Sequence, residues 1–141
     1  MTIAAVLKGR GEVVTLAPDV PVGEAAALLS ARRIGAVPVV IGGEVAGVFS
    51  ERDVIHCLAR GGADVLSAPI SEAMTAPAVS VSPAEPVIGA LSLMTRRRIR
   101  HLPVLEDGRL VGIVSIGDLV KYRIERIEAE AAAMREYIQA G

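Results

Sequence analysis

Apolar positions along the chain recur with two different periods, and each change of period marks a new element. Ile3, Val6 and Leu7 are spaced for a short helix behind Thr2, a residue suited to an N-cap, and Gly9 and Gly11 end the run. Val13 to Leu16 reads as a short strand, after which Pro18, Asp19 and Pro21 force a turn. Val22, Ala25, Ala26, Leu28 and Leu29 form a helical stripe that ends near Arg32 and Arg33. Ala36 to Ile41 is β-branched and apolar, Gly42 and Gly43 supply a tight turn, and Val45 to Phe49 is the returning strand. A helix then runs from Ser50 to about Arg60, stopped by Gly61 and Gly62.

The same pattern returns when the chain is slid along itself by about 65 residues. Pro18, Pro21, Arg32, Arg33, Ile34, Pro38 and Gly43 fall on Pro83, Pro86, Arg97, Arg98, Ile99, Pro103 and Gly108. About 15 of roughly 42 columns are identical, more than shared composition gives. The strand-helix-strand-strand-helix unit is therefore duplicated. Residues 1–12 precede it as an N-terminal helix, 13–62 form the first repeat, 63–77 a linker, 78–121 the second repeat, and 122–141 a helical extension. Two small units with unfinished apolar faces are expected to stack their sheets about a pseudo-two-fold axis and bury a joint core.

The last helix does not stop where its counterpart does. Val120, Ile124, Ile127, Ala131, Met134 and Ile138 follow heptad spacing, with no glycine or proline before Gly141. Two readings stay open: a helix folded back on its own domain, or a dimerisation helix.

Composition narrows the class. Of 141 residues 52% are hydrophobic but only 2% aromatic, so the core is built from Val, Ile, Leu and Ala. A formal net charge of -1 argues against nucleic acid or an anionic membrane as the main partner. Mean hydropathy is +0.49, yet no apolar run reaches the roughly 18 residues of a membrane span. Cys57 is the single cysteine, so no intramolecular disulfide forms, and no Cys/His cluster has structural-zinc spacing. With no secretory signal in MTIAAVLKGRG, a cytoplasmic protein is expected.

The candidate chemistry lies at the end of each repeat, in GVFSERD at Gly47 to Asp53 and GIVSIGD at Gly112 to Asp118. Ser50 with Asp53, and Ser115 with Asp118, have capping-box spacing at a strand-to-helix junction. The same turn gathers a hydroxyl, a carboxylate and free backbone N–H groups, which suits a polar or phosphorylated ligand. Catalysis is not expected. His56 and Cys57 are neighbours on a helix and point apart, and His101 lacks an orienting partner.

The duplicated unit, with PVV at Pro38 to Val40, PVL at Pro103 to Leu105 and the two terminal motifs, resembles the CBS domain pair known as the Bateman module. MTRRRIRHLPV and VSIGDLVK, followed by a helix ending in REYIQ, are similar to small standalone CBS-pair proteins. The resemblance implies an α/β (α+β) fold of two tandem β-α-β-β-α repeats packed through their sheets with pseudo-two-fold symmetry, plus a long C-terminal helix. It further implies a regulatory module that senses AMP, ADP or ATP, with S-adenosylmethionine or NAD as other adenosyl ligands, and that signals to a partner as a homodimer. A structural or interaction protein with no physiological small ligand is the alternative.

By that resemblance Asp53 and Asp118 match the position that hydrogen-bonds the ribose diol, and Ser50 and Ser115 the hydroxyl near ribose or phosphate. Thr15 and Ser80 match ligand-contacting positions of the first strand. Val37 and Pro38, with Leu102 and Pro103, match the strand that lies along the base. Arg100 and His101 stand where the first repeat has Gly35 and Ala36, and Arg52 is within reach of the shared cleft. The second repeat is then expected to hold the better-equipped site, so that Asp118→Ala weakens binding more than Asp53→Ala.

Overall fold

A computed structural model describes residues Met1–Gly141. Its helices are α1 (Ile3–Leu7), α2 (Val22–Arg32), α3 (Glu51–Gly61), α4 (Val87–Arg97) and α5 (Ile116–Ala140). The strands are β1 (Ala36–Ile41), β2 (Glu44–Ser50), β3 (His101–Glu106) and β4 (Arg109–Ser115). Short 3-10 turns at Gly62–Ser67 and Ile70–Glu72 fill the segment between the repeats.

Each repeat carries one antiparallel hairpin, β1–β2 or β3–β4. Left-handed turn residues close both, Gly42 and Gly43 at φ 57 and 83, Asp107 and Gly108 at φ 51 and 78, which is the geometry that matches strand twist in a two-residue loop. The register slips by one residue at the same place in each, between Val39 and Val40 and between Val104 and Leu105. The first strand expected in each repeat shrinks to a single parallel bridge. Leu16 pairs with Val39, and Val81 with Val104. Thr15 and Ser80 are left exposed beside these bridges.

The expected joint core is instead two clusters. Val22, Ala25, Leu29, Val37, Val39, Phe49 and Ile70 fill the first repeat. Val81, Val87, Ala90, Met94, Leu102, Val104, Val114 and Leu119 fill the second, together with Ile3 and Val6 from α1. The two halves exchange their leading segments: α1 completes the second repeat, while Ile70 from the segment before the second repeat completes the first. The exchange is bonded alike on both sides. Ile3 N–H donates to Glu85 O and Ala4 N–H to Pro83 O, and Ile70 N–H donates to Val20 O and Ser71 N–H to Pro18 O. These carbonyls satisfy the free amides at the start of α1, so Thr2 makes no side-chain cap. What reads in sequence as an N-terminal helix and a linker are thus equivalent pieces, placed crosswise.

The repeats meet with β2 against β4. Helix α5 buries Leu119 and half-buries Tyr122 against the second core, then projects beyond the body. Ile124, Ile127, Met134 and Ile138 are exposed along it, so the helix does not fold back.

Candidate functional site

Both capping boxes form. In the first, Ser50 N–H donates to Asp53 Oδ2 at 2.8 Å, and Asp53 N–H donates to Ser50 Oγ at 3.4 Å. In the second, Ser115 N–H donates to Asp118 Oδ2 at 2.8 Å, and Asp118 N–H donates to Ser115 Oγ at 3.0 Å. Each strand therefore delivers a carboxylate to the first turn of the next helix, where unpaired amides favour a polar ligand.

Each carboxylate opens onto a cleft whose far wall comes from the other repeat. The Asp53 cleft joins Ser50, Glu51, Arg52 and His56 to Thr75, Val79 and the α4–β3 turn at Arg98 to His101. The Asp118 cleft joins Ser115 and Ile113 to Arg10, Glu12, Val14 and the α2–β1 turn at Arg33 to Ala36. The turns reach inward because Arg33 and Arg98 end their helices in left-handed conformations, φ 54 and 55. Both residues line clefts, a role beyond the helix-end charge interaction that their position suggests. Glu51 and His101 border both clefts, and a Cβ on Gly35 would come within 2.7 Å of Glu51 and 3.0 Å of His101.

This crossing corrects the expected asymmetry. Arg100 lines the Asp53 cleft and not the Asp118 cleft, because the wall opposite each capping box belongs to the partner repeat, while His101 lies between the two. The Asp53 cleft therefore gathers three guanidiniums, from Arg52, Arg98 and Arg100, against two carboxylates. The Asp118 cleft has two, Arg10 and Arg33, against Glu12, Glu51 and Asp118. Arg52 is also fixed in place, its Nη1 donating to Arg98 O at 3.2 Å.

Other site residues read from the sequence lie elsewhere. Val37 and Leu102 are fully buried core residues, and Pro38 and Pro103 are buried beside them. The carbonyls of those prolines are taken by Leu16 and Val81 N–H. Thr15 and Ser80 border neither cleft; Val14 and Val79, one residue away and on the opposite face of an extended chain, do.

Two residues that sequence reasoning missed hold the carboxylates. Thr75 pairs with Val48 as a bridge at the edge of β2, and its Oγ1 donates to Asp53 Oδ1 at 3.0 Å. Gly47 permits this approach, since a Cβ there would sit 2.7 Å from Thr75 O. Arg10 pairs with Asp118 instead, Nη2 to Oδ1 at 3.0 Å and Nη1 to Oδ2 at 3.3 Å, with Nη1 also donating to Ile113 O at 3.3 Å. The available signal was the likeness of IAAVL at Ile3 to ISEAM at Ile70, offset from the main repeat by a two-residue insertion. Burial favours the protonated form of Asp118, but hydrogen bonds from Ser115 and Arg10 outweigh it and hold the carboxyl below its ordinary value. Burial lowers the His101 pKa from 6.5, opposed by Glu51 and Asp118 and reinforced by Arg100 and Arg52, so the ring is mainly neutral at pH 7.

Two pseudo-equivalent clefts, each walled by both halves of a duplicated chain, define a tandem-repeat module. Residues 9–60 and 70–125 match the CBS domain model. The chain belongs to the CBS-domain family and carries the domain as a tandem pair. A CBS-domain containing protein of Agrobacterium tumefaciens, ATU1752, is 44% identical, superposes with a TM-score of 0.84, and the match covers 87% of this chain and 99% of that one. PAE2072 of Pyrobaculum aerophilum, whose structure is complexed with AMP, is 29% identical over 84% of this chain and 89% of its own, TM-score 0.74. The CBS domain pair of protein MJ0100, solved with 5′-methylthioadenosine and S-adenosyl-L-methionine, is 25% identical over 89% and 98%, TM-score 0.79. No helix of the present chain is long and apolar enough to cross a membrane.

Proposed function

We propose that the protein is a regulatory, non-catalytic module of the cytoplasm that binds an adenine nucleotide and signals its occupancy, as an energy sensor, to a partner protein. The observation that carries this reading is the crosswise build of the clefts. A ligand seated on Asp53 touches the first repeat through Ser50 and Asp53 and the second through Val79 and Arg98 to His101. Binding therefore changes the free energy of one repeat's position relative to the other, which is what a shape-changing sensor requires. The carboxylate accepts from a ribose cis-diol, aliphatic Val79 and Ile99 cover the base, and the three guanidiniums receive phosphate. AMP, ADP or ATP fit that charge; S-adenosylmethionine and NAD share the adenosyl part. The complexes of PAE2072 with AMP and of MJ0100 with adenosyl compounds support the reading. Titration calorimetry with these ligands tests it: saturable binding of a phosphorylated adenosine is expected, and silence at millimolar concentration overturns it.

The exposed stripe of Ile124, Ile127, Met134 and Ile138 on α5 favours a second role beside the first, the assembly of a homodimer or the capture of the regulated partner. Truncation after Lys121 separates the two. Assembly is lost and nucleotide affinity is kept if both readings hold, whereas a purely structural protein loses assembly and never binds nucleotide.

A further inference from the structure

The two carboxylates are restrained by different chemistry. Outside its capping box Asp53 is held by the neutral hydroxyl of Thr75 at 3.0 Å. Asp118 is held by the guanidinium of Arg10 through two contacts, and the guanidinium is itself anchored to Ile113 O. A ribose diol that takes Asp53 replaces one hydroxyl donor with another of the same kind. A diol that takes Asp118 displaces a cation and leaves it without its carboxylate. Charge-assisted hydrogen bonds are about twice as strong as neutral ones, so hydroxyls alone do not replace the guanidinium evenly. An occupant that carries its own anion does, because a phosphate gives the guanidinium a bidentate acceptor in return. Arg10 is exposed enough to turn, with 39% of its side chain open to solvent. Glu12 borders the same cleft but makes no ion pair, and a surface pair formed there would be weak compensation.

Resting on the adenosyl-binding reading above, we propose that Arg10 is a partner-exchange residue: it releases Asp118 only to a ligand that supplies an anion, which makes the Asp118 cleft selective for phosphorylated adenosines over the bare nucleoside. At Asp53 release of the carboxylate sets no such requirement, since Thr75 leaves no charge unpaired, and any preference for phosphate there comes from Arg52, Arg98 and Arg100 and is independent of Arg10.

The test is calorimetry on the full chain with AMP and adenosine as probes. Asp53→Asn isolates the Asp118 cleft while keeping an amide oxygen for the helix cap, and Arg98→Glu is a second way to weaken the first cleft if that variant melts early. In either background AMP is expected to bind at least tenfold more tightly than adenosine. Adding Arg10→Gln weakens AMP about fivefold and tightens adenosine about threefold, so the preference collapses. In Asp118→Asn, where only the Asp53 cleft remains, Arg10→Gln leaves the AMP-to-adenosine ratio unchanged. An unchanged ratio in the Asp118 cleft after Arg10→Gln, or a parallel loss for both ligands, overturns the inference. Wild-type binding of AMP combined with a silent Asp118 cleft overturns it while leaving the module's function intact. Silence of the wild type toward both probes overturns the adenosyl reading, and the inference with it.

Discussion

The Asp53 and Asp118 sites share a strand, a capping box and a helix start, yet differ in the residue that steadies the carboxylate and in the charge across the cleft. Asp53 is 7% exposed, held by Thr75, and faces Arg98 and Arg100. Asp118 is more open, paired with Arg10, and faces Arg33 among carboxylates. Duplication copied the local motif faithfully, whereas the environment of each copy is set by segments outside it. Equivalence in sequence therefore does not make two sites equivalent in charge or in contacts.

The strongest way to break the comparison is through the cores beneath the clefts. Phe49, the only phenylalanine, is fully buried in the first core where the second has Val114. Phe49→Ala is expected to cost about 4 kcal/mol in urea denaturation and Val114→Ala about 2 kcal/mol. Equal losses would mean that the first core relaxes into the space.

Next come the two glycines that admit the exchanged segments. A Cβ at Gly47 meets the backbone oxygen Thr75 O at 2.7 Å, whereas one at Gly112 meets only the flexible end of Leu7. Gly47→Ala is expected to destabilise by about 2 kcal/mol and Gly112→Ala by roughly half as much. The first substitution should also weaken ligand binding at Asp53, because it pushes Thr75 away, and calorimetry reads that effect separately from stability.

At the clefts themselves, Asp53→Asn is expected to weaken AMP binding about tenfold and Asp118→Asn less, the reverse of the order the repeat motifs alone imply. A larger loss at Asp118 would show that phosphate is read from Arg10 and Arg33 rather than from Arg98 and Arg100.

The smallest effect is on pH dependence. His101 has a folded pKa below 6.5, so the unfolded chain takes up the proton first as pH falls. Stability is then lost below about pH 6.5 down to the folded pKa, and thermal melts of His101→Gln should lose that slope. Asp118 behaves in the opposite sense to a raised carboxyl: its depressed pKa stabilises the fold above 3.8, and that stabilisation disappears as pH falls through the folded value. Arg10→Gln should reduce this acid-range term without touching the one near neutrality.

Much of the fold was legible because its signals are local. The hairpins followed from paired left-handed turn positions, the helix starts from Ser50 with Asp53 and Ser115 with Asp118, and the duplication from matched prolines and glycines. Val37 and Leu102 were misjudged because an apolar β-branched strand looks alike whether it faces a core or a ligand. Thr15 and Ser80, which the resemblance placed at the ligand, miss the clefts by one residue, because neighbouring residues of an extended segment point to opposite faces.

By itself the sequence determined that there are two copies, that each ends in a carboxylate at a helix cap, and that a long helix follows. Only the tertiary structure decided which segment completes which copy, and so which basic residues face which carboxylate. The reason is physical: two repeats of the same fold offer similar apolar surfaces to α1 and to Ile70, and sequence proximity does not choose between them. The choice rests on packing and backbone hydrogen bonds across the pseudo-axis. That crossing carries Arg98 and Arg100 to Asp53 and leaves Asp118 to Arg10.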